Sequence, residues 1–64
     1  MDFKADIYER GTHRGVWRFQ AASDTEAVEM ARQHAQSAGA DSALVWRCDD
    51  LGRCDLIDSV EVDR

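Results

Sequence analysis

The chain has 64 residues and a formal net charge of −5, which makes it one domain near the lower size limit for folding without help. An acidic surface repels phosphate backbones, so direct nucleic-acid binding by bulk electrostatics is disfavoured. No stretch is apolar enough to span a bilayer and the N-terminus lacks a signal-peptide core, so no membrane partner is expected. The expected location is the cytoplasm, or a host cytoplasm if the chain is viral.

The first segment, Phe3-Lys4-Ala5-Asp6-Ile7-Tyr8-Glu9, alternates with period two and reads as a strand. Phe3, Ala5 and Ile7 point one way; Lys4, Asp6 and Tyr8 point the other. Arg10 to Gly15 then forms a polar loop bracketed by glycines. The second strand, Val16 to Ala22, places Trp17, Phe19 and Ala21 on one face. Folding this hairpin about Thr12 sets Ala5 opposite Phe19, Ile7 opposite Trp17, and Asp6 opposite Arg18 as a cross-strand charge pair.

Ser23-Asp24-Thr25-Glu26 is a capping box, with the serine hydroxyl accepting from Glu26 and the carboxylate reaching back. The helix it starts runs to about Ala38 and stops at Gly39. Its inward stripe is Ala27, Val28, Ala31, His34, Ala35 and Ala38. Small side chains of this kind suit a sheet face carrying Phe3, Trp17, Phe19 and Trp46.

Ser42 to Cys48 reads as the third strand, with Leu44, Trp46 and Cys48 facing the helix and Ala43, Val45 and Arg47 facing away. Asp49 to Arg53 suits a three-residue hairpin loop with Gly52 in the left-handed position. The fourth strand, Cys54 to Val62, turns Leu56, Val60 and Val62 inward, interrupted by Asp58. In this register Trp46 faces Leu56, Arg47 faces Asp55 and Cys48 faces Cys54. The expected fold over residues 1–64 is a single α+β domain of ββαββ type: a four-stranded antiparallel sheet in order 2-1-3-4, with the helix on one face.

Few residues offer chemistry. Cys48 and Cys54 could close a cross-strand disulfide or supply half of a zinc site; cytosolic reduction favours two free thiols filling space under the helix. His13 and His34 lack ligand spacing to the cysteines, so no metal or other cofactor is expected. His34 has no nearby nucleophile or orienting acid for base catalysis. Asp49, Asp50 and Asp55 surround a turn without following the calcium-loop pattern, and turn chemistry accounts for such aspartates. The expectation is a non-enzyme.

The sheet face away from the helix is the expected recognition surface. In this reading it presents Tyr8, Val16, Val45 and Ile57 as an apolar patch rimmed by charge. Charge is also uneven along the chain, because residues 23–64 hold ten acids against four arginines. That acidic half, including Asp49, Asp50 and Asp55, favours a partner protein that is basic or itself binds nucleic acid. A small acidic inhibitor or adaptor fits this description; phage-encoded inhibitors of host defence complexes match in size and charge alone. The alternatives are a homodimer formed face to face through the open sheet, and a thiol redox or metal module built on Cys48 and Cys54.

Overall fold

The structure, a computed structural model, describes residues 1–63. Strands β1 (Asp2–Glu9), β2 (Thr12–Gln20), β3 (Ser42–Cys48) and β4 (Cys54–Glu61) and the helix α1 (Asp24–Ser37) follow one another as ββαββ. The sheet is antiparallel throughout, in the expected order β2-β1-β3-β4.

The first hairpin is tighter than its sequence suggests. Arg10 and Gly11 both take positive φ, 53° and 78°, as a two-residue turn matched to strand twist requires. Asp41 steadies the turn by accepting from the Arg10 N–H. The pairing consequently sets Phe3 opposite Phe19, Ala5 opposite Trp17 and Asp6 opposite Val16, with Arg14 bulged out between two registers. The expected Asp6–Arg18 pair does not form, and Arg18 lies beside Lys4 instead. A shift of two residues preserves the faces, so Trp17 and Phe19 still lie on the helix side.

Helix α1 starts where the capping box places it. Ser23 Oγ accepts from Glu26 N–H at 3.1 Å, while the Glu26 carboxylate accepts from Ala22 N–H, one residue before the cap. Ala38 closes the helix and Gly39 follows with φ 73°. Ala27, Ala31 and Ala35 are fully buried, whereas Ala38 is exposed, one step beyond the packed stripe.

Beneath those alanines lie Ala5, Ala43 and Val45, each with no exposed surface, flanked by Phe3, Ile7 and Val60. This reverses the expected phase of β3: Ala43 and Val45 face the helix, and Leu44, Trp46 and Cys48 face away. An alanine ridge approaches most closely over small residues, so the small face of β3 is the one that lets α1 sit down. The same face of β3 also carries Arg47, which reaches Asp24 at the start of α1 at 2.8 Å.

In β4 a bulge at Ile57 changes the alternation part-way along: Leu56 pairs with Trp46, Asp58 with Val45, and Ile57 is the extra residue. Leu56 therefore points to the open face. Ile57 turns back to pack against the core with Val62, and Val60 is buried as expected. The rings form a column at the β2 side of the helix. Phe3 stacks near Phe19, Phe19 on Trp17 at 4.2 Å, and Trp17 on His34 at 4.1 Å.

Candidate functional site

The sheet face opposite α1 has no layer over it among the described residues. Its side chains follow from the register in rows across the strands. One row is Arg18, Lys4, Trp46 and Leu56. The next is Val16, Asp6, Leu44 and Ser59, and beyond it lie His13, Tyr8, Ser42 and Glu61. At the other end the row is Gln20, Asp2, Cys48 and Cys54.

The centre of this face sets Trp46 and Leu44 of β3 beside Lys4 and Asp6 of β1, and the ring is held in place. The Trp46 indole N–H donates to Asp6 Oδ2 at 2.9 Å, which satisfies the one polar group of an otherwise greasy ring. The other Asp6 oxygen accepts from His13 Nε2 at 3.0 Å, and the His13 ring meets Tyr8 edge-on at 5.3 Å. Lys4 Nζ lies 5.3 Å from the centroid of Trp46, within cation–π range. Beside the ring, Leu44 is half-buried and Leu56 is 53 % exposed, while Val16, across β1 from them, is 49 % exposed.

Of the four residues expected to form this patch, Tyr8 and Val16 are on it. Val45 is not: it is fully buried under α1. Ile57 is also on the helix side, because of the bulge. Trp46, Leu44 and Leu56 occupy the positions those two were expected to fill. The signal that could have found them is the indole N–H itself. Among the strand positions read outward, Asp6 is its natural acceptor, and only the opposite phase of β3 lets the two meet.

The cysteines are joined as a disulfide across the start of the second hairpin, and no free cysteine remains among the described residues. They lie on the open face beside Asp2, not under the helix as free thiols. Cross-linking a loop this short stabilises the hairpin by about 2 kcal/mol on the chain-entropy model. No cluster of three or more metal-ligating side chains occurs among the described residues.

The chain matches no family model, no curated protein and no solved structure. Its chemistry is therefore read from its own residues.

The acidic hairpin is less available than its sequence suggests. Asp49 Oδ1 accepts from the N–H groups of Leu51 and Arg53, each at 2.9 Å, and its other oxygen is 3.5 Å from Arg53 Nε. Asp49 is thus the residue that shapes the turn. Asp50 and Asp55 are exposed, with Arg47 and Arg53 close by along a shared depression. The carboxylates of this region are interleaved with arginines and do not form one negative patch.

Proposed function

We propose that this chain is a non-enzymatic protein-binding module whose recognition surface is the open sheet face centred on Trp46. One observation carries the reading: a tryptophan flanked by Leu44 and Leu56 lies on an uncovered face, with its orientation held by Asp6 and Lys4. Binding hot spots favour a ring that is already ordered, because less side-chain entropy is lost on association. The surrounding polar and charged positions supply a rim. The net charge of −5 favours a partner with a basic surface, such as a nucleic-acid-binding complex, and an inhibitor or adaptor role is the fitting use of such contact.

The proposed location is the cytoplasm, where a reducing pool would act on the Cys48–Cys54 bond. Alkylating free thiols at the moment of cell lysis reads the form the cell holds.

Affinity capture from the source cell tests the binding surface. The pair Val16→Ser/Leu56→Ser changes only exposed side chains of the open face, and Arg32→Ala/Gln36→Ala changes the outer side of α1. The expected result is a captured protein retained by the parent and the helix variant and lost by the open-face variant. A partner that survives the open-face substitutions removes the reading, as does failure to retain any protein.

A further inference from the structure

The two edges of the sheet carry opposite charge. β2 contributes Arg14 and Arg18 and no acid, and the turn before it adds Arg10. β4 contributes Asp55, Asp58 and Glu61 and no base, and Asp63 follows it. Among the described residues Arg10 and Arg18 make no ion pair, nor does any of those four acids; Arg14 reaches Glu9 only at 3.7 Å. Each edge also presents backbone N–H and C=O groups that no neighbouring strand takes up.

Strand direction makes these edges compatible. Each neighbouring pair in the order β2-β1-β3-β4 is antiparallel, so β2 and β4 run in opposite directions. A second copy displaced along the sheet would bring its β4 beside β2 as an antiparallel neighbour, with α1 on the same side in both copies. Arg18 and Glu61, which both point to the open face, would then meet across the new ladder, with Arg14, Asp55 and Asp58 adding opposite charge around it. Pairing β2 with β2, or β4 with β4, opposes like charges instead, which is destabilising.

We infer that this chain associates head to tail with further copies of itself, the basic edge β2 of one taking the acidic edge β4 of the next. This contact uses the strand edges, not the open-face side chains around Trp46, and it would carry that face from copy to copy on one continuous sheet. A head-to-tail contact leaves one free edge at each end and so continues beyond a dimer unless a ring closes. The bulges at Arg14 and Ile57 limit regular pairing to Gly15–Gln20 and Asp58–Glu61, so the ladder is short. Association is accordingly weak, concentration-dependent and sensitive to salt.

Sedimentation equilibrium of the whole chain tests this, with circular dichroism to verify that each variant is folded. From about 10 μM to about 1 mM at low salt, the weight-average mass of the parent should at least double and pass the dimer value, then return to monomer in about 0.5 M NaCl. Arg14→Glu/Arg18→Glu reverses one edge and Asp58→Lys/Glu61→Lys reverses the other. Each variant alone should stay monomeric, and an equimolar mixture should regain growth beyond a dimer. A parent that is monomeric throughout, a closed dimer, or association that ignores both reversals overturns the inference. Self-association lost instead in Leu44→Ser, an open-face substitution on the inner strand β3, also overturns it and assigns the contact to the open face. A monomeric parent leaves the capture experiment on that face unaffected.

Discussion

The two faces of the sheet are built from different sizes and kinds of side chain. On the helix side, Ala5, Ala43 and Val45 meet Ala27, Ala31 and Ala35, so two backbones come close and the larger rings are displaced to the β2 side. On the open side a single large ring, Trp46, lies beside Leu44 and Leu56 and is held by polar neighbours from β1. Small residues are used where the helix sits directly on the sheet, and rings lie beside it or on the uncovered face. A covered face needs shape complementarity within the chain, whereas an uncovered one can keep its complementarity for a partner.

The largest effect should come from the covered side. Phe3 is almost wholly buried, and Phe3→Ala should cost about 3–5 kcal/mol, enough to unfold a domain of this size. Urea denaturation gives the value, and a Trp46→Ala variant that loses as much would break the contrast between the faces. The disulfide comes next: Cys48→Ser/Cys54→Ser should lose about 2 kcal/mol, with a similar loss for the parent unfolded in reductant. Asp6→Ala should cost about 1–3 kcal/mol, because it leaves the Trp46 indole N–H without its acceptor. In a Trp46→Phe background that cost should shrink, and a double-mutant cycle by denaturation measures the coupling. Ser23→Ala removes the helix cap and should cost about 1 kcal/mol, read as a lower unfolding midpoint. The smallest effect belongs to the open face: Leu56→Ser should change stability by no more than about 0.5 kcal/mol while weakening partner capture.

Much of the fold is legible in the sequence where local chemistry is decisive. The Ser23–Glu26 capping box, Gly39 and Gly52 mark boundaries that the structure keeps, and the single-phase apolar pattern of β1 sets its buried face. The strand order follows from two hairpins joined by one helix. Faces were lost where both sides of a strand are apolar. In β3 either Leu44, Trp46 and Cys48 or Ala43 and Val45 can serve as a core face, and choosing by size selects the wrong one. Close approach of an alanine-lined helix decides for the small set, and that is a property of the assembled layers. In β4 the Ile57 bulge inserts one residue into the alternation, and the only local trace is Asp58 among inward positions. Tyr8 and Val16 fall on the open face because Phe3, Ala5 and Ile7 of β1 and the rings Trp17 and Phe19 of β2 take the helix side.

The double use of Asp6 has a consequence for how the chain finds its alignment. Its two oxygens join Trp46, 40 residues away, and His13, 7 residues away, and so tie three adjacent strands together. A strand that is greasy on both sides gives the folding chain little reason to reject a one-step slip, since either set of side chains could go inward. Such a slip would turn Trp46 to the other side of the sheet from Asp6 and deprive its indole N–H of this acceptor. One carboxylate thus acts as a locating pin, selecting a single alignment that oily contacts alone leave nearly degenerate.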